Sequence, residues 1–313
     1  MCSTVTSASP FRRIFVTLIV APLVAAALAQ DAAPGGAGTI ELADAGFLGP
    51  ESMLHDEQAD VYLVSNVNGA PSEADGNGFI SRVSPDGEVL ELRWIDGEAD
   101  GVELDAPKGM ALAGNTLYVA DITNVRMFDR ESGEQTSSVA IPDTTFLNDA
   151  APAEDGGVFV TDTAVGPDFQ PAGTAAVYHV SEDGTVRQVI ASPDLGGPNG
   201  VLATGPNSLV VVTFDTPGRI IRIDDGEISE SQEMSAGGFD GVLALPDSDD
   251  LLVSSWSASA VLRVEPDGSS TAVVEGVEGP ADIGYDANRQ QLLIPQLQGN
   301  TVLIVPLGEA QQQ

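Results

Sequence analysis

Three observations predict an all-β chain folded as a six-bladed β-propeller of four-stranded antiparallel blades. Six short strands end alike: DVYLVSN (Asp60 to Asn66), NTLYVAD (Asn115 to Asp121), GGVFVTD (Gly156 to Asp162), NSLVVVT (Asn207 to Thr213), DDLLVSS (Asp249 to Ser255) and QQLLIPQ (Gln290 to Gln296). They recur at roughly 40–50 residues, the spacing of one blade. Ahead of them stand six similar turns, GPES, APKG, FLND, GPNG, GFDG and GPAD, whose key residues are Glu51, Lys108, Asn148, Asn199, Asp240 and, less clearly in register, Asp282. In a propeller, equivalent positions converge on the central axis.

Along the chain, residues 1–29 read as a signal peptide. Arg12 and Arg13 precede an apolar run from Ile14 to Leu28, and Ala27-Leu28-Ala29 has the small-x-small form that signal peptidase cuts. The run is shorter than the ~20 residues of a membrane span and is interrupted by Pro22. The expectation is export to the periplasm or the extracellular space, with no stable membrane anchor; the arginine pair is an ordinary positive segment or a twin-arginine signal. Residues 30–38 form a flexible linker and 39–313 the propeller.

Each repeat holds the turn, an inner strand, the seven-residue strand, an alternating third strand such as GRIIRI from Gly218, and a polar fourth strand such as Glu88 to Trp94. Five third strands are followed by a tight-turn pair: Asp86-Gly87, Ser132-Gly133, Asp183-Gly184, Asp225-Gly226 and Asp267-Gly268. The sixth repeat lacks a fourth strand, and TIELA (Thr39 to Ala43) is a spare strand expected to complete that blade and close the ring. No segment sustains helical periodicity. The long interruptions at 66–78 and 162–173 both follow a seven-residue strand, so both are expected on one face of the disc, where ligands bind.

Composition excludes several chemistries. Cys2 is the single cysteine and lies in the signal segment, so the mature chain has no disulfide, thiolate metal site or cysteine nucleophile. Removing Arg12 and Arg13 with the leader takes the formal charge from −35 to −37, a surface that repels nucleic acid and anionic lipid. The chain reads as a soluble monomer.

The repeated positions carry the chemistry. Glu51, Asn148, Asn199 and Asp240 supply two carboxylates and two amide oxygens, a hard donor set suited to one Ca²⁺ or another divalent ion in the channel. Zinc or copper would call for cysteine or histidine, and only His55 and His179 are present, both within or beside strand patterns as structural residues. An ion there would polarise a carbonyl or activate a water, with Asp240 as general base. Turn chemistry alone also favours Asn, Asp and Gly, so the weight falls on four such positions in one register. Lys108, the only lysine, would orient an anionic substrate or balance the carboxylates. The strand ends Asn66, Asp121, Asp162, Phe214, Trp256 and Gln296 are expected to form the pocket wall, with Phe214 and Trp256 stacking on a substrate ring or packing between blades.

The motifs GPESMLHD, FLNDAAPAEDGGVFVTDT, GPNGVLA and FDGVLALPDSDDLLVSSW resemble those of the senescence marker protein (regucalcin)/gluconolactonase family. The stretch ADIGYDANRQQLLIPQLQGNTVLIV is similar to the last repeat of secreted bacterial members, and the resemblance spans about residues 40 to 307. It implies a six-bladed propeller with one divalent ion, usually calcium, held by Glu51, Asn148, Asn199 and Asp240, with Asp240 also the base. Two positions depart from the family. Phe146 stands where gluconolactonase-type members carry the arginine that holds a sugar lactone, which implies a more apolar substrate; Lys108 fills the second repeat's position. The expected function is a calcium-dependent hydrolase of a small lactone or ester, and the alternative is a non-catalytic binding propeller with a structural ion.

Overall fold

The computed structural model describes Met1 and residues 38–246 and 248–308. The expected signal segment after Met1 and nearly all of the expected linker lie outside the described residues. Six four-stranded sheets follow one another along the chain. Their inner strands are Pro50–Asp56, Pro107–Ala113, Leu147–Pro152, Pro198–Gly205, Phe239–Ala244 and Gly284–Asp286. The second strands, Val61–Asn66, Thr116–Asp121, Val158–Asp162, Ser208–Thr213, Leu251–Ser255 and Gln291–Gln296, coincide with the six like-ended segments of the sequence. Third and fourth strands complete each antiparallel blade. The only helical turn among the described residues is Pro193–Leu195.

The fourth strand of the last sheet is Ile40–Leu42, paired antiparallel to Thr301–Pro306 with Ile40 opposite Ile304. Backbone hydrogen bonds from Asp282 N to Glu51 O (2.8 Å) and from Met53 N to Asp282 O (3.2 Å) tie the innermost edges of the first and last blades together.

The hydrophobic core is not on the axis. It lies in six clusters, each formed where one blade faces the next, as where Tyr118 and Val125 meet Val158 and Val160. This is why the second strands read as nearly unbroken apolar runs: both faces are covered, and Val61–Asn66 is buried throughout. The fourth strands are largely solvated, and Glu227–Glu233 is polar apart from Ile228. The hairpin glycines Gly87, Gly133, Gly184, Gly226 and Gly268 all adopt φ between 74° and 85°, the left-handed region that disfavours a Cβ.

Candidate metal centre in the channel

The residues read from sequence as turns are not turns. Glu51, Lys108, Asn148, Asn199 and Asp240 are each the second residue of an inner strand. Each of those strands breaks register at that point: Pro50 pairs with Asn66 but Met53 with Val64, and the same shift recurs at Pro107/Met110, Leu147/Ala150, Pro198/Val201 and Phe239/Val242. One extra residue on the inner strand is a β-bulge, which bends the strand and re-aims a side chain. Repeated around the ring, it presents one residue per blade to the channel.

Hydroxyls opposite the bulges catch the freed N–H groups. Ser52 N donates to Ser65 Oγ (2.9 Å), Asp149 N to Thr161 Oγ1 (3.0 Å) and Gly241 N to Ser254 Oγ (2.8 Å). Two of these hydroxyls then donate into the next blade, Thr161 to Asn199 O at 2.7 Å and Ser254 to Ala281 O at 2.8 Å. Sequence reading missed this relay, although its signal is visible in the VSN, VTD and VSS strand ends.

The glycines after three of the key residues have a packing reason rather than a turn reason. None of Gly109, Gly200 and Gly241 has a left-handed φ, yet a Cβ would lie 2.3 Å from Asp149 Oδ1, 2.3 Å from Asp240 O and 2.5 Å from Ile283 N respectively. Each marks where one inner strand abuts the next. Gly200→Ala is therefore expected to destabilise the protein by about 1–3 kcal/mol, read as a Tm lowered by roughly 2–10 °C; an unchanged melting curve would show that the ring has slack at this point.

Within the channel the structure brings together more charge than the sequence indicated. Glu51, Asn148, Asn199 and Asp240 are buried, each only 4–6% exposed. Burial, then Asp240 and Asp282, push the Glu51 carboxyl well above its usual range, while Lys108 opposes the rise. Asp240 is pushed up to about 8 by burial and Asp282, against hydrogen bonds from Trp256 and Asn199. Asp282, which accepts from Ser52 Oγ at 2.5 Å, is raised to about 7 by burial. Asp149, not singled out in the sequence, is raised as well by burial and Asp282, although Ala150 N and Val201 N each donate to it at 2.7 Å. Four carboxyl groups thus share this space with one ammonium, that of Lys108.

Two carboxylate oxygens of this group stand apart. Glu51 Oε2 and Asp240 Oδ1 are buried and have no hydrogen-bond partner. Leaving a buried acceptor unsatisfied is costly. Asp240 Oδ2 is held by Trp256 Nε1 at 3.0 Å, and Asn148 Nδ2 donates to Thr163 Oγ1 at 2.9 Å, which leaves the amide oxygen of Asn148 available. Among the described residues no three His, Cys, Asp or Glu side chains form a metal-ligand cluster. A cation here depends on the two asparagine oxygens beside Glu51 and Asp240, which fits a hard ion such as Ca²⁺.

The remaining expected site residues divide into two groups. Lys108, 1% exposed, donates to Ala106 O at 3.2 Å and lies 4.4 Å above the centre of the buried Phe146 ring; burial lowers its pKa while Glu51 and Asp121 oppose the change. Trp256 bonds to Asp240 and meets Phe214 edge-on at 5.3 Å. Asp121, by contrast, is fully buried and engaged: it accepts from Ala106 N at 2.7 Å and from Arg126 Nε at 2.7 Å. The polar strand ends Asn66, Asp162 and Gln296 likewise accept from Leu48 N, Phe146 N and Glu278 N. These four residues fasten the segment leading into the inner strand of their own blade, and their acceptors face that backbone instead of walling a pocket. His55 and His179 lie beside Asp60 and Asp155, apart from the channel cluster.

The fold agrees with comparisons against known proteins. No curated protein sequence matches the chain significantly. Among solved structures, a gluconolactonase from Xanthomonas campestris superposes with a TM-score of 0.63 at 18% identity, covering 86% of this chain and 89% of that one. The calcium-binding protein regucalcin from Agrobacterium tumefaciens gives 0.58 at 15% identity, covering 83% and 90%. A virginiamycin B lyase from Staphylococcus aureus gives 0.57 at 13% identity, covering 85% and 98%, so the propeller is shared by enzymes of different reactions. The family model described as the SMP-30/Gluconolactonase/LRE-like region matches residues 76–283, two thirds of the chain and four of the five bulged inner strands, and the protein belongs to that family.

Proposed function

We propose that the protein is a calcium-dependent hydrolase of a small lactone or ester. The observation that carries this reading is the pair of partnerless carboxylate oxygens, Glu51 Oε2 and Asp240 Oδ1, in a channel where four acids face one lysine. Glu51, Asn148, Asn199 and Asp240 would hold the ion, which when bound supplies Lewis-acid polarisation of the substrate carbonyl. Asp240 accepts the proton of the attacking water as its oxygen bonds to the carbonyl carbon, and returns it to the ester oxygen as the C–O bond breaks. Trp256 Nε1 fixes the carboxylate by holding Oδ2. Lys108 places a positive charge beside the same space. Export through residues 1–29, and membership of the secreted bacterial branch, belong to the same proposal.

The test is a lactone and aryl-ester panel with purified protein. Turnover is expected with calcium and is expected to vanish with chelator. A panel with no metal-dependent turnover sinks the reading. The second reading, a binding propeller with a structural ion, is favoured by the deep burial of all four donors; it predicts that chelation lowers Tm while no substrate is consumed.

A further inference from the structure

We propose that the group this site accepts beside the scissile bond is apolar, an alkyl chain or aryl ring, and that a polyhydroxylated sugar lactone is a poor substrate. This rests on the hydrolase reading and adds the substrate class to it. Three observations lead there.

The polar strand ends beside the key residues are already committed. Asn66, Asp121, Asp162 and Gln296 end the second strands next to the key residues, and backbone N–H groups of the adjoining segments occupy their acceptors. These four acceptors are therefore not offered to a row of sugar hydroxyls, and a hydroxyl desolvated without a partner is unfavourable.

Exposed apolar side chains lie on the same face of the disc. Apart from Met1, the exposed large hydrophobics among the described residues are Leu48, Leu90, Phe169 and Phe214. Leu48 precedes the inner strand of Glu51, Phe169 lies in the loop after Val158–Asp162, and Phe214 follows Ser208–Thr213. The antiparallel pairing of inner and second strands puts all three segments on one face, as in the Pro50–Asn66 and Pro198–Thr213 pairs. A groove of about 370 Å³ opens there too, lined by Leu48, Val67, Pro71 and Leu297 together with Asn68 and Asn300. Leu48 and this groove belong to the first and last blades and Phe169 and Phe214 to the third and fourth, so the two aromatics are the exposed apolar groups that adjoin the reacting centre.

The aromatic side chains also touch the reactive groups. Phe169 meets Phe146 edge-on at 6.0 Å, and Phe146 underlies the Lys108 ammonium. Phe214 meets Trp256, and Trp256 bonds to Asp240. Two aromatic pairs therefore run from solvent to the channel, one ending on the lysine and the other on the acid. An apolar substituent lying along either pair leaves its carbonyl at the charged centre.

The experiment compares γ-butyrolactone, γ-decalactone and glucono-δ-lactone with calcium-loaded protein and with the Phe169→Ser and Phe214→Ser variants, both changed at exposed positions. Each buried methylene is worth up to roughly fourfold, so kcat/KM for γ-decalactone is expected to exceed that for γ-butyrolactone by more than about tenfold. Each variant is expected to shrink that ratio several-fold. Tryptophan fluorescence titration with γ-decalactone gives a second readout that does not depend on turnover. If every lactone is inert but γ-decalactone binds and Phe214→Ser weakens it, the apolar site stands and the hydrolase reading falls. If glucono-δ-lactone is the preferred substrate, or both variants slow the two alkyl lactones equally, or γ-decalactone neither reacts nor binds, this inference is overturned.

Discussion

Asp240→Asn is expected to remove turnover even at saturating calcium, whereas Glu51→Gln is expected to lose it only at low calcium. Both carboxylates present an unpartnered oxygen to the channel, so neutralising either takes one negative charge from the ion. Ligand charge sets calcium affinity, and loss of one charged ligand is expected to raise the Kd by at least about 100-fold. Asp240 alone also has its second oxygen anchored by Trp256, the fixed geometry a general base needs. An asparagine keeps one oxygen where Asp240 has two, so turning it to the ion leaves its NH2 facing the Trp256 indole N–H; it can still ligate the ion at high calcium, but it cannot take a proton. The remaining loss at saturating calcium is therefore of the order of 10²–10⁴-fold. Calorimetric calcium titration and kcat at rising calcium separate the two roles. If Asp240→Asn retains more than about a tenth of wild-type kcat once calcium is saturating, Asp240 is a ligand and some other group takes the proton.

The blade count was legible because the second strands are buried on both faces, and continuous apolar runs survive in sequence whatever the loops do. The hairpin glycines were legible for the same local reason, since a left-handed φ is a demand on one residue. The channel was legible only in part. GPNG and GFDG have the composition of turns, and the bulge that opens each strand leaves N–H groups whose partners lie elsewhere in the chain, Ser254 for Gly241 N and Asp149 for Val201 N. Their glycines reflect contact with the next blade, which no local rule reveals. Asp121 and Asp162 looked like a pocket wall because they end strands beside the site; only the adjoining backbone shows that their carboxylates are taken. Asp149 was hidden by its neighbour, since in FLND the asparagine held the repeated position and the aspartate after it had no counterpart in the other blades.

The crowding of Glu51, Asp149, Asp240 and Asp282 has a consequence for stability that calcium should reverse. In the metal-free protein Asp240 is raised to about 8 and Asp282 to about 7, chiefly by burial, and Glu51 and Asp149 are raised too. In the unfolded chain these groups ionise near pH 4. Between about pH 4 and 8 the metal-free native state therefore holds protons that the unfolded state has released. Stability falls as pH rises wherever the native state binds more protons, so the metal-free protein is expected to weaken from pH 5 towards pH 8, by up to about 1.4 kcal/mol per pH unit for each excess proton. Asp56 acts in the opposite sense: burial would raise it, but hydrogen bonds from Arg130 and Ala59 outweigh that and lower it, so its contribution is lost only as pH falls below about 4. A bound divalent ion ionises its carboxylate ligands and removes much of the proton difference, and a ligand that binds only the native state adds stability by mass action. Melting curves at pH 5.5, 6.5, 7.5 and 8.5, with excess calcium and with chelator, are expected to diverge as pH rises, the chelated series falling while the calcium series stays nearly level. A gap between the two series that does not change with pH would mean that the ion does not draw on Glu51 and Asp240.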